Sequence, residues 1–157
     1  MTLRTLSLFS TSADQTANCA IALGPHLSSG DAIMLQGDVG AGKTHFARAL
    51  IQSLLSDAQD IPSPTFTLVQ TYTAPQCDIW HADLYRLTSV QEIEELGLVD
   101  AFETDICLVE WPDRLGPLTP PDALMLSLES GPHDDARSIK ATWSDPKWDE
   151  KLKVWKP

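Results

Sequence analysis

Residues Gly37-Asp38-Val39-Gly40-Ala41-Gly42-Lys43-Thr44 read G-x-x-x-x-G-K-[ST], and they stand between an apolar run and a helical pattern. The preceding Ala32-Ile33-Met34-Leu35 predicts a buried strand. After the motif, Phe46, Ala49 and Leu50 share one helical face. Glycines let the backbone curl so that successive N–H groups point inward, and the helix N-terminus adds partial positive charge. Such a loop holds a polyphosphate. In this arrangement Lys43 reaches the β- and γ-phosphates and the Thr44 hydroxyl binds Mg²⁺. The motif in this context implies a site for a nucleoside triphosphate.

A chain of 157 residues with 43% hydrophobic content predicts a single domain spanning 1–157, with a tail at 146–157. Acids outnumber bases 22 to 11, and residues 76–115 hold ten Asp and Glu against two Arg. This balance leaves no broad basic surface with which to grip nucleic acid directly. A basic protein partner or a metal–nucleotide complex suits it better. Cys19, Cys77 and Cys107 show no C-x-x-C pairing and read as small core residues of a reducing compartment. No stretch is apolar enough to span a membrane, so a cytoplasmic location is expected.

Along the chain, Leu3–Leu8 reads as a short strand. Ser12 and Gln15 form a capping box that opens a helix, with a kink at Gly24-Pro25. Thr65–Thr73 and Cys77–Tyr85 read as a hairpin. Ser89 and Glu92 cap a short acidic helix ending near Gly97, and Ile106–Val109 is a continuous apolar strand. Ala123–Leu128 and Arg137–Trp143 are further strand candidates. The expected fold is α/β, a P-loop three-layer sandwich whose mixed sheet joins a parallel core to an antiparallel hairpin. Trp80, Trp143, Trp148 and Trp155 read as core or docking residues.

A P-loop enzyme needs an acid at the C-terminal end of a neighbouring strand, and Asp83 and Glu110 are the candidates. The strand before Glu110 is apolar without a break, as a central strand covered on both faces requires. The strand before Asp83 mixes polar and apolar residues, as a wetter hairpin strand does. Glu110 is therefore the metal-side acid beside the P-loop, and Asp83 is left to orient the attacking water. Ser63-Pro64-Thr65 lies where switch segments reach a γ-phosphate.

The series GDVGAGKT (37–44), SPTF (63–66), HADLYR (81–86), ELG (95–97) and VEWP (109–112) resembles the bacterial TsaE (YjeE) family. These are small ATPases of the tRNA threonylcarbamoyladenosine pathway. The resemblance implies slow hydrolysis of ATP with Mg²⁺. It implies as partners the TsaD- and TsaB-type transferase subunits that modify position 37 of ANN-decoding tRNAs. By resemblance, Gly37 to Thr44 (Asp38, Val39, Gly40, Ala41, Gly42 and Lys43 included) bind phosphate, while Thr44 and Glu110 bind the metal. Asp83 orients water, Thr65 is the switch residue and Trp111 lies near the nucleotide. Arg137 and the helix opening around Ser12 are candidates for the two edges of the adenine pocket. The chain departs from the family at His45, where a second Thr is usual, and after Gly131, where Asp134-Asp135-Ala136-Arg137 replaces a Gly-Arg pair.

Two other functions use similar loops. A small-molecule kinase would carry several cations in a lid, whereas the five arginines here are scattered. An ATP-binding assembly module without significant turnover would need nearly the same residues. The acids Glu92, Glu94, Glu95, Asp100, Glu103 and Asp105 lie between the two candidate catalytic strands, where a basic partner could grip them.

Overall fold

Seven strands form one sheet in the order β1-β7-β6-β2-β5-β4-β3, in a computed structural model that describes residues 2–38, 41–56, 61–62, 64 and 68–155. In chain order the elements are β1 (Arg4–Ser10), α1 (Ala13–Leu23), β2 (Ala32–Gln36), α2 (Lys43–Leu54), β3 (Val69–Thr73) and β4 (Asp78–Asp83). Then come α3 (Val90–Glu95), α4 (Leu98–Thr104), β5 (Ile106–Glu110), β6 (Leu124–Ser130), β7 (Arg137–Trp143) and α5 (Lys147–Lys151). Strands β6, β2, β5 and β4 run parallel through the centre. Antiparallel pairs close both sides, β3 on β4 and the β6–β7–β1 arm.

Strand alternation builds two cores. On β2, Ile33 and Leu35 face one hydrophobic cluster while Ala32 and Met34 face the other. On β5, Ile106 and Leu108 divide from Cys107 and Val109 in the same way. The first cluster takes Ala20 and Leu23 of α1, Phe46, Leu50 and Ile51 of α2, and the tail residues Trp148, Leu152 and Trp155. The second takes Ile93 of α3, Leu98 and Phe102 of α4, and Leu115 of the 3₁₀ turn Pro112–Leu118. Helices thus cover both faces of a mixed sheet, the α/β sandwich expected from the sequence. Among the described residues, no helix is long and apolar enough to cross a membrane.

Several local expectations are refined. The hairpin strands run Val69–Thr73 and Asp78–Asp83, so Tyr85 lies beyond the strand. Residues 65–67 of the first predicted strand lie outside the described residues. At the first capping box, Ser12 accepts from Gln15 N–H, but Gln15 Oε1 returns its bond to Thr11 N–H at 2.8 Å. The acidic helix ends at Glu95, near Gly97 as expected, and a second helix, α4, begins at Leu98. It carries no side-chain cap for a sequence reader to notice. All three cysteines are free, yet only Cys107 is buried; Cys19 and Cys77 are half-buried. Burial pushes the Cys107 thiol up to about 12, which keeps it an unreactive core residue.

The tail is docked. Trp148 is fully buried and donates Nε1–H to Asp122 O at 2.7 Å, and Trp155 Nε1 donates to Cys19 O at 2.9 Å. Each indole thereby buries its apolar body and satisfies its one donor.

Candidate functional site

β2 delivers the chain to the phosphate loop at the C-terminal edge of the sheet. Gly37 takes φ 149°, and a Cβ there would lie 2.5 Å from Leu128 O of β6, so only glycine lets the strand turn this close to its neighbour. Gly42 takes φ 102° and opens α2 without a side-chain cap. The first N–H groups of α2 therefore remain available to an anion. Asp38 is exposed and its carbonyl accepts from Ala41 N–H at 3.0 Å. Val39 and Gly40 lie outside the described residues.

Lys43 begins α2 and is 5% exposed. Its ammonium donates to Gly37 O and sits 3.6 Å from the centroid of the Trp111 ring. Burial lowers its pKa from the usual lysine value, and the nearby charges of Glu110, Asp83, Asp38 and Asp113 oppose that shift. Neither a carbonyl nor an indole face neutralises a full positive charge. The site thus holds a desolvated cation with only weak partners, the arrangement a polyphosphate would complete.

Trp111 follows β5 directly and is held with φ 59°, a left-handed conformation that costs a bulky residue about 1–3 kcal/mol. That conformation puts the indole over Lys43, with Tyr85 packed on it at 4.8 Å between ring centroids. The strain therefore sits where the loop lysine is held.

The acids arrive on adjacent parallel strands. Asp83 ends β4 and Glu110 ends β5, and the two are register partners. Both are buried, at 7% and 2% exposure. β5 also pairs with β2, whereas β4 does not, so Glu110 lies on the strand next to the P-loop strand as inferred from its apolar run. Thr44 Oγ1 donates to the Glu110 carboxylate, 2.8 Å from Oε1 and 3.0 Å from Oε2. Asp83 Oδ1 accepts from Tyr85 N–H at 3.0 Å, an Asx-type turn that fixes the carboxylate at the strand end.

These residues meet in a cavity of about 560 Å³. One wall is Gly42, Lys43, Thr44 and His45; the other is Asp83, Tyr85, Glu110 and Trp111. Ala13 and Thr16 of α1 and Asp135 and Arg137 of the β6–β7 arm close the remaining edges. Ser12 itself caps α1, and its neighbours Ala13 and Thr16 supply the lining. Arg137 lines the cavity while bracing the loop: Nε donates to Ala41 O at 2.7 Å, and Nη1 donates to Asp134 O and Ala136 O, each at 2.8 Å. His45 Nε2 lies 2.9 Å from Ala13 O and ties α2 to the start of α1. Thr65 lies outside the described residues.

The donor set fits magnesium held with a nucleotide. Mg²⁺ prefers oxygen, keeps several waters, and is bound through one or two carboxylates plus substrate phosphates. Thr44 Oγ1 and the Glu110 carboxylate are hard oxygen donors within 3.0 Å of each other beside the phosphate loop. Among the described residues, no group of three His, Cys, Asp or Glu could cage a metal unaided. The phosphates would have to complete the shell.

Two residues escaped sequence reasoning, Tyr85 of the cavity lining and His81, fully buried against Glu110. Tyr85 and His81 belong to the HADLYR stretch, where period-two alternation places His81 on the same strand face as Asp83. That parity was the available signal for His81.

Comparison with known proteins places the chain in one family. The family model for Threonylcarbamoyl adenosine biosynthesis protein TsaE matches residues 10–139. The tRNA threonylcarbamoyladenosine biosynthesis protein TsaE of Rickettsia bellii is 40% identical over 118 residues, covering 75% of this chain and 82% of that protein. The Haemophilus influenzae protein of the same name is 37% identical over 116 residues, covering 73% of this chain and 72% of its own. In three dimensions, the crystal structure of Bacillus subtilus YdiB superposes with a TM-score of 0.81 at 24% identity, over 98% of this chain and 95% of that one.

Proposed function

The chain belongs to the TsaE family, and we propose that it is a Mg²⁺-dependent ATPase supporting threonylcarbamoyladenosine modification at position 37 of ANN-decoding tRNAs. Its relatives carry the name of that biosynthesis. The observation that carries the ATPase reading is the weakly paired, buried Lys43 at the N-terminus of α2, facing Asp83 and Glu110 across one cavity.

When ATP enters, Lys43 exchanges the Gly37 carbonyl and the Trp111 face for β- and γ-phosphate oxygens. The uncapped first turn of α2 supplies N–H donors to the same phosphates. Mg²⁺, when bound, neutralises charge on those oxygens. Thr44 and Glu110 would hold it, each already oriented by the other. Asp83 stands at the cavity wall one strand farther out, where it accepts a hydrogen bond from water and directs the oxygen toward the γ-phosphorus. Arg137 keeps the loop in register by holding Ala41 O. Among the described residues, the cavity brings only Lys43 and Arg137 as strong cations, and Arg137 is engaged with three carbonyls. A phosphoryl-transfer lid of the kinase type would need more.

The partners in this reading are TsaD- and TsaB-type transferase subunits in the cytoplasm. The chain's net charge of −11 argues against gripping tRNA unaided. Glu94, Glu95, Asp100 and Glu103 are exposed on α3 and α4, and among the described residues no salt bridge neutralises them. Those helices join the Asp83 strand to the Glu110 strand. A basic partner surface seated there would act on both ends of the site. The test is tRNA modification reconstituted from the transferase subunits with and without this protein. The reading expects repeated turnover only when this protein and ATP are both present; equal turnover without it would refute the role.

A further inference from the structure

His81 is fully buried, in the interior of β4, and its Nε2 lies 2.7 Å from Glu110 Oε2. Its Nδ1 is also buried and has no hydrogen-bond partner. A position that needed only bulk would take Leu or Phe, since burying an imidazole removes polar atoms from water for little packing gain. Half of this ring's polar capacity is left unmet, and the half that is met goes to one carboxylate oxygen. An ionised carboxylate only accepts, so in this contact Nε2 is the donor.

The distances show what that proton does. Glu110 Oε2 is touched by both His81 Nε2 at 2.7 Å and Thr44 Oγ1 at 3.0 Å, whereas Oε1 receives Thr44 Oγ1 alone. The carboxylate is therefore fixed in rotation about its last bond, with Oε1 the less crowded oxygen. His81 lies two residues before Asp83, so the same ring ties the Asp83 strand to the acid of the next strand.

Resting on the magnesium–ATP reading above, we propose that His81 is a positioning residue for the metal-side acid. Its Nε2–H pins Glu110 Oε2 and leaves Oε1, the oxygen nearer Thr44 Oγ1, as the one that would meet the metal. Outer partners that orient metal-binding groups typically contribute about 10–100-fold in metal affinity or activity.

The test compares wild type, His81→Leu and His81→Gln by calorimetric titration with a non-hydrolysable ATP analogue, in Mg²⁺ and in EDTA. Gln can offer an amide N–H near the position of Nε2, and Leu cannot. The expected result is a loss of about 10–100-fold in the Mg²⁺-dependent affinity for Leu, unchanged affinity in EDTA, and substantial recovery with Gln. Leu binding with wild-type Mg²⁺ dependence, or equal losses for both variants in EDTA, overturns the proposal. If Leu does not fold, ¹⁵N NMR of the wild-type ring decides. The proposal requires a proton on Nε2 that shifts when Mg²⁺ and the analogue are added together, and a proton found on Nδ1 alone refutes it. Wild type that binds no Mg²⁺–analogue at all would instead sink the parent reading.

Discussion

Asp31 and Glu110 are both buried to 2% exposure, yet they stand at opposite ends of the central parallel strands in different company. Asp31, just before β2, is bonded by Ser28 N–H at 2.9 Å, by Lys147 Nζ at 3.1 Å, and by Lys151 Nζ. Lys147 also reaches Asp122, and both lysines lie within 5.8 Å of the Trp148 ring centroid. Every charge there has a counter-charge, and together they fasten the tail onto the sheet. At the other end, Glu110 is held by a hydroxyl and an imidazole, while the neighbouring lysine is held by a carbonyl and an indole. Charge closed on itself builds structure. Charge held by weaker partners is what a charged ligand would complete.

The two lysines carry the same contrast in their ionisation. At Lys147, burial works to lower the pKa, but the hydrogen bonds and charges of Asp122 and Asp31 raise it overall. At Lys43 burial prevails and the pKa falls. The site's cation is costly to keep charged without phosphate, and the clamp's cation is not.

The largest effect that could break this comparison is expected from Lys43→Ala. It should abolish ATP hydrolysis and leave unfolding by urea almost unchanged, because the side chain serves the ligand. A folded Lys43→Ala protein with wild-type ATPase activity would remove the site. Asp83→Ala comes next: a lost water-orienting carboxylate lowers the rate by about 10²–10⁴ while nucleotide affinity persists. Glu110→Ala should behave oppositely and weaken Mg²⁺-dependent binding. Titration and single-turnover assays on the pair would reveal reversed roles if Asp83→Ala alone lost Mg²⁺–nucleotide affinity.

The clamp should respond in the other currency. Asp31→Ala removes hydrogen bonds to two charged lysines, worth about 1–3 kcal/mol of unfolding free energy, with affinity for the ATP analogue intact. A nucleotide-affinity loss matching the stability loss would show that the two ends are coupled. Rising pH separates them more gently. Because Lys43 has a lowered pKa, its charge is lost at a pH below 10.5, and analogue affinity should start to fall there. Because the Lys147 pKa is raised on folding, its contribution to stability is fully present below pH 10.5 and is lost only as pH climbs through the higher folded value. Thermal melts and titrations across that range should diverge; parallel decline would contradict the assignment. The smallest effect is expected from reversing Glu92, Glu94 and Glu95 to Lys. Partner binding should weaken, as it should with added salt, and nucleotide affinity should hold.

The open end was far more legible in the sequence than the closed one. Glycines at 37 and 42 and the apolar run before them mark a strand–loop–helix locally, so Lys43 and Thr44 could be placed from eight residues. The order of β4 and β5 followed from the difference between a mixed strand and an unbroken apolar one. Asp31 meets Lys147 and Lys151 across more than a hundred residues, and only folding brings them together. Nothing in a local pattern announces that Trp111 adopts a left-handed backbone, that Arg137 donates to Ala41 O, or that a lone strand histidine reaches Glu110. Each is a tertiary consequence of register. Gly97 hid α4 because an acidic run followed by glycine looks like an ending.

The most direct measurement of the central claim is release of ADP from Mg²⁺–ATP by the purified protein, with and without the transferase subunits and with no other phosphoryl acceptor. The account predicts slow ADP formation that requires Mg²⁺ and vanishes in Lys43→Ala but survives in Asp31→Ala. ADP that forms only when a small-molecule acceptor is supplied, or that forms in neither condition, would contradict it.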